Sequence, residues 1–125
     1  MNHADFYVCS NFHFIFGYDV EWVELCPKCG NKILAGYASM EAQHLLSDIE
    51  TDYGEKFASA AAILLAAMDY PTLMVEIRDE EDRTLNMERL MSILKKNKEI
   101  AKRTIEILKD LIKPPASVVE IEKVI

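Results

Sequence analysis

An α+β fold is predicted for this chain, with short antiparallel strands in residues 1–38 followed by a long antiparallel helical hairpin over residues 39–125. Two observations carry that expectation. Aromatic and β-branched runs broken by glycine and proline fill the first third of the chain. Beyond it, apolar residues recur every three or four positions, the period of a helix with one buried face.

The strand runs come first. Phe6-Tyr7-Val8 is aromatic and β-branched, Phe12 to Phe16 alternates through His13 and Ile15, and Val20 to Leu25 holds Val20, Trp22 and Val23, with Gly17, Pro27 and Gly30 as turn residues. A ribbon of this size is too small to be stable on burial alone. The aromatics Phe6, Tyr7, Phe12, Phe14, Phe16, Tyr18 and Trp22 are expected to form a minicore around the loops. Base stacking, the other use for such a set, is disfavoured locally because only Lys28 and Lys32 oppose Asp19, Glu21 and Glu24.

Ser39 then offers a helix N-cap with Glu41 in the first turn. Ala42, Leu46, Ile49, Tyr53, Phe57, Ala60, Leu64 and Met68 form one stripe of a helix that Pro71 ends. Gly54 lies inside it and costs roughly 1 kcal/mol relative to alanine, so a kink or break can fall there. Thr72 to Ile77 reads as a short strand or a helical turn, and Asp79 to Asp82 as a solvated connection. Thr84 or Asn86 caps a second long helix that runs to about Lys113, before Pro114-Pro115. Its apolar positions make two adjoining stripes, Met87, Leu90, Leu94, Ala101, Ile105, Leu108 and Ile112 beside the heptad-spaced Ile93, Ile100 and Ile107. That face is broader than one partner helix covers, which predicts a homodimer or higher homo-oligomer with coiled-coil character. The tail from Val118 to Ile125 alternates like an edge strand.

At 125 residues, 50% hydrophobic and 28% charged, the chain has the composition of one globular domain, or of a very small domain with a helical extension. The longest apolar run, Ala60 to Met68, is far short of the ~20 residues a membrane helix needs. No basic segment leading into an apolar core opens the sequence, so a cytoplasmic protein is expected. The net charge of −7 is uneven: by count, residues 1–38 carry −2, residues 39–83 carry −8 and residues 84–125 carry +3. The whole should repel nucleic acid, and only Lys95, Lys96, Lys98, Lys102 and Arg103 on the last helix could attract it. These bases are expected to face the acidic first helix, diluted by Glu99 and Glu106.

Chemistry concentrates at the cysteines. Three is an odd number, and two of them form Cys26-Pro27-Lys28-Cys29-Gly30. Cysteines three apart can turn both sulfurs onto one metal ion, and the following glycine permits the positive φ of such a turn. Upstream, Cys9 and His13 lie in Tyr7-Val8-Cys9-Ser10-Asn11-Phe12-His13, followed by Phe16-Gly17. Together, over about residues 5–35, these segments resemble a rubredoxin-like zinc ribbon. That family has an aromatic residue before a first C-x2-C knuckle and a C-P-x-C-G knuckle after it. The chain departs from the pattern at position 12, which is Phe12. The fourth ligand beside Cys9, Cys26 and Cys29 is then His13, within loop reach at C-x3-H, or else His3 or a water. Four cysteines would suit redox iron, whereas one replacement by histidine or water shifts the expectation to structural Zn2+ over iron.

Glu41-x-x-His44 has the spacing of ferritin-like di-iron bundles and, beside such a knuckle, invites comparison with rubrerythrin-type redox proteins. No second Glu-x-x-His accompanies it, and Glu41, His44 and Asp48 fall on the polar side of the stripe. There is no phosphate-binding glycine loop, no H-E-x-x-H and no serine-histidine-acid order. A non-enzymatic interaction or regulatory module with a protein partner is the expectation, ahead of a nucleic-acid-binding regulator.

Overall fold

The structure, a computed structural model, describes residues 4–20, 23–68, 70, 72–79, 81 and 83–125. Trp22 and Pro71, to which the sequence assigns a core place and a helix stop, lie outside them. Mixed α+β content is observed, with three strands first, two helices next, then a fourth strand and three more helices among the described residues.

The sheet has four antiparallel strands in the order β2-β1-β3-β4. Strand β1 (Phe6–Cys9) pairs with β2 (Phe14–Phe16) through Val8↔Phe14, and with β3 (Ile33–Tyr37) through Phe6↔Gly36 and Cys9↔Ile33. Alternation along each strand sorts the side chains onto two faces. Phe6, Val8, Phe14, Phe16 and Leu34 point into a large core shared with the helices. Tyr7, Cys9 and Ile33 point the other way, into a small cluster completed by Ala4 and Cys26. The expected single minicore of aromatics is therefore corrected. Phe6, Phe12, Phe14 and Phe16 serve the helical core, Tyr7 serves the loop side, and Tyr18 is 78% exposed, stacked on Phe16 at 5.2 Å. The Val20–Leu25 run, expected as a strand, contributes only the bridge Leu25↔Lys32 among its described residues.

Helix α1 (Met40–Tyr53) starts where expected, with the Ser39 hydroxyl accepting the Ala42 N–H at 3.1 Å. It stops at Gly54, whose φ of 107° and ψ of 168° leave helical space, and α2 (Glu55–Met68) begins at the next residue. Only glycine adopts that backbone without a Cβ penalty, so the long first helix becomes two. Helix α2 is the centre of the molecule. It packs against α1 and β2 and, from the later chain, against β4 (Glu76–Arg78), α3 (Met87–Lys96), α4 (Lys98–Leu111) and α5 (Ser117–Val124). Ala61, Ile63, Leu65 and Ala67 are as buried as the stripe residues Ala60 and Leu64. A helix apolar all round is a buried helix, and its alanines let neighbours approach closely.

Strand β4 pairs with β3 through Gly36↔Ile77, so residues from both 1–38 and 39–125 build one sheet and one core. The turn that follows is organised by Asp79, whose Oδ1 accepts the N–H groups of Glu81 (3.0 Å) and Arg83 (3.2 Å). Asn86 caps α3 by accepting the Arg89 N–H at 2.8 Å. Asn97, at φ −132°, separates α3 from α4, so the second long helix is also two. In place of two continuous long helices, α2 is surrounded by α1, α3, α4 and α5, of 8 to 14 residues each. Residues 117–124, expected as an edge strand, form α5: its short apolar pattern also fits helical spacing, with Val118 and Ile121 buried, and Lys109 reaches Glu122 at 2.8 Å. The broad apolar face of the last long segment is thereby covered within one chain, Leu90, Ile93, Leu94, Ala101, Ile105, Ile107 and Leu108 all being buried.

Two outcomes test this packing. A Cβ built on Gly36 lies 2.1 Å from the fully buried Phe6 ring. Gly36→Ala should lower unfolding stability by about 1–3 kcal/mol through overpacking, read as a fall in denaturant midpoint. The Thr84 hydroxyl and the Arg78 guanidinium (3.0 Å) both donate to Glu76 and hold its carboxyl below its ordinary 4.5. A depressed folded-state value gives stabilisation that is present above the unfolded value and lost as pH falls through the folded one. Glu76→Gln should cost less than ~1 kcal/mol at pH 7 and reduce the loss of stability between pH 6 and pH 3.

Candidate metal centre

Two turns face each other at the Cys9 end of β1. The first links β1 to β2. The Phe12 N–H donates to the Cys9 carbonyl at 3.0 Å, the Cys9 N–H donates to the His13 carbonyl at 3.2 Å, and Phe12 takes φ 60°. This is a three-residue hairpin loop with a left-handed residue at its end, a position that usually goes to glycine. A bulky residue there is strained by about 1–3 kcal/mol. Burial of the Phe12 ring, 1% exposed in the helical core, offsets the strain. The second turn is Cys26–Gly30. The Gly30 N–H donates to the Cys26 carbonyl and the Cys26 N–H to the Asn31 carbonyl, both at 2.7 Å, with Gly30 at φ 76°.

The two turns are closed alike but differ by one residue. In the second the ligand candidate Cys29 precedes the left-handed residue; in the first, His13 follows it. A histidine on the far side of Phe12 reaches the same point that a cysteine would reach from the near side.

All four residues singled out by the sequence are brought together. The candidate ligand atoms of Cys9, His13, Cys26 and Cys29 lie within 4.8 Å of one another. His13 Nδ1 is 3.3 Å from Cys9 Sγ and 3.5 Å from Cys26 Sγ, and Cys9 Sγ is 3.8 Å from Cys29 Sγ. Thiolates at ~2.3 Å and an imidazole at ~2.05 Å around a tetrahedral ion stand about 3.8 Å (S···S) and about 3.6 Å (S···N) apart. The residues therefore fit one metal ion. They do not form a disulfide, since the S–S bond is about 2.05 Å and all three thiols are free. His3, the other candidate for fourth ligand, lies outside the described residues.

Burial pushes the Cys9 thiol up to about 11, against the opposing pull of the His13 and Asn11 backbone N–H groups. Cys29 is exposed, and the Asn31 backbone N–H draws it down to about 6. A cation among the sulfurs favours the thiolate form of both. Asn11 Nδ2 also donates to Cys29 Sγ at 3.6 Å, and Lys28, between the paired cysteines, makes an ion pair with Glu55 at the head of α2. Burial alone would raise the Glu55 carboxyl, but the Lys28 hydrogen bond and charge hold it below its ordinary value. Neither contact has a signal in the sequence, because each joins residues remote in the chain.

Glu41, His44 and Asp48 are exposed on α1 and belong to no ligand cluster found among the described residues. The bases Lys95, Lys96, Lys98, Lys102 and Arg103 are exposed near the α3–α4 junction. Arg103 lies over the Phe57 ring at 5.6 Å, and Asn97 Nδ2 donates to the Ser10 carbonyl at 3.5 Å. No helix among the described residues is long and apolar enough to cross a membrane.

Cobalt(II) titration of the reduced chain should give the intense visible bands of a tetrahedral thiolate site at one equivalent. His13→Ala should weaken binding more than about tenfold, the lower scale set even by outer-shell changes; unchanged spectra and affinity would remove His13 from the site. The chain matches no family model, no curated protein and no solved structure.

Proposed function

We propose that this chain is a non-enzymatic zinc-binding interaction module, built on a rubredoxin-like zinc-ribbon knuckle and presenting its surface to a protein partner. The observation that carries the reading is the closeness of four protein ligand atoms, three sulfurs and one imidazole nitrogen. Four protein ligands close a tetrahedral sphere and leave no position for a substrate, which is the mark of a structural site. Thiolate-rich tetrahedral sets suit zinc or iron, and the histidine favours zinc.

The ion's role follows from where its ligands sit. Cys9 belongs to the sheet and His13 to the turn beside it, whereas Cys26 and Cys29 belong to the segment folded over the outer face. The buried apolar cluster there has five residues, too few to fix that segment by burial. Zinc joins the two parts, and its binding energy becomes folding energy for the segment. Tyr18 and Leu25, 78% and 60% exposed in the same segment, are the apolar groups it offers to a partner. Self-association is also part of the proposal, through residual exposed apolar groups such as Met87 and Leu111, 49% exposed each.

Metal analysis with native mass spectrometry tests the reading. A colourless protein with one zinc per chain is expected, and a strong chelator should raise hydrogen exchange over residues 23–34 while α2 and α4 stay protected. Iron with visible colour, or exchange unaffected by the chelator, would overturn it. A second reading, nucleic-acid binding, rests on the exposed bases of the α3–α4 junction beside Ser10. The net charge of −7 opposes it, and failure to bind heparin or DNA at low salt would dismiss it.

A further inference from the structure

We infer that the metal centre is also a peroxide-responsive switch, in which oxidation replaces the zinc cross-link by a disulfide between Cys9 and Cys29; this rests on the metal reading above. Three features of the site lead there. Among its sulfurs, those of Cys9 and Cys26 belong to buried residues, and Cys29 alone is exposed. An oxidant arriving from solvent therefore meets Cys29 first. Its sulfur lies 3.8 Å from that of Cys9, which stands at the end of β1 on the other side of the turn pair. Closing that gap to a bond of about 2.05 Å needs a shift of less than about 2 Å. Finally, the bond would span the same two chain segments that the ion spans.

The chemistry balances with hydrogen peroxide as oxidant. The Cys29 thiolate attacks the peroxide O–O bond and becomes a sulfenic acid, and the departing hydroxide takes a proton to leave as water. The Cys9 thiolate then attacks the Cys29 sulfur, forming S–S and expelling hydroxide, which takes a second proton. Two electrons pass from the two sulfurs to the peroxide, whose oxygens end as two waters. Only Cys26 and His13 would remain to hold a zinc ion, too few to retain it. The outer segment remains attached to β1, now by a covalent bond that a chelator cannot remove.

The choice of partner sulfur is what the inference adds. A Cys26–Cys29 disulfide would close a small ring inside one turn, whose hydrogen bonds from Cys26 to Asn31 and from Gly30 to Cys26 already fix its shape. It would leave the segment unattached. The Cys9–Cys29 bond keeps both turns and the sheet in register.

The test uses the full chain reconstituted with zinc under reducing conditions and then freed of reductant. Zinc content measured before oxidation separates the two ideas: without bound zinc the metal reading fails and the switch fails with it. Given one zinc per chain, a few equivalents of hydrogen peroxide should release it to a chromophoric chelator with a mass loss of two hydrogens. Peptide mapping without reductant should find Cys9 linked to Cys29, and dithiothreitol with zinc should reverse the change. Cys29→Ser, which retains three ligands, should slow zinc release by peroxide at least tenfold. Zinc that stays bound under peroxide overturns the switch and leaves the metal reading intact. So does release that yields a Cys26–Cys29 bond, or a sulfinic acid on Cys29 with no cross-link.

Discussion

A sheet has two faces, and this chain has helices for only one. That constraint organises the molecule. Phe6, Val8, Phe14 and Leu34 feed a core centred on α2, while Tyr7, Cys9 and Ile33 face a loop segment with few apolar groups of its own. Water is excluded from the first face by burial alone. On the second, burial is too small, and the residues that meet there are those suited to gripping an ion. The same alternation that sends Val8 to the core sends Cys9 to the opposite side, so the site's position is fixed by strand register.

The helices contribute more than a lid. Glu55 reaches Lys28 inside the second turn, and Asn97 reaches the carbonyl of Ser10 in the first. Each turn of the candidate site is thus held from the helical side by a group at a helix break, Gly54–Glu55 in one case and Asn97 in the other. Breaks that look like defects in a long helix are the points at which the helical layer touches the turns of the candidate metal site. Had α1 and α2 been continuous, Glu55 would lie in mid-helix.

Much of the site was legible in the sequence, and less of the fold. Cys26, Cys29 and Gly30 declare a knuckle by spacing alone, because the chemistry is local. Cys9 and His13 come within reach of it once a hairpin is assumed between them. The helix starts at Ser39 and Asn86 were readable for the same reason, as caps act over three residues. What failed was non-local. Ala61, Ala62 and Ala67 fall off the assumed stripe, yet all are buried, as the apolar run from Ala60 to Met68 befits in a central helix. The pairing of β4 with β3 and the docking of α5 depend on partners 39 to 49 residues away, which no window of sequence contains. Most of the apolar surface on the last helices is covered by those partners, with Met87 and Leu111 left half-exposed.

Phe12 ties two otherwise separate matters together. It occupies the position where a fourth cysteine would stand in a C-x2-C knuckle, yet its ring is sunk in the helical core and its backbone closes the hairpin. Exchanging it for cysteine would not simply convert the ligand set. It would empty an aromatic-sized space between sheet and helices and leave His13 competing for the ion. At position 12 itself, a change from the candidate three-sulfur set to a four-sulfur one is opposed by core packing as well as by coordination chemistry.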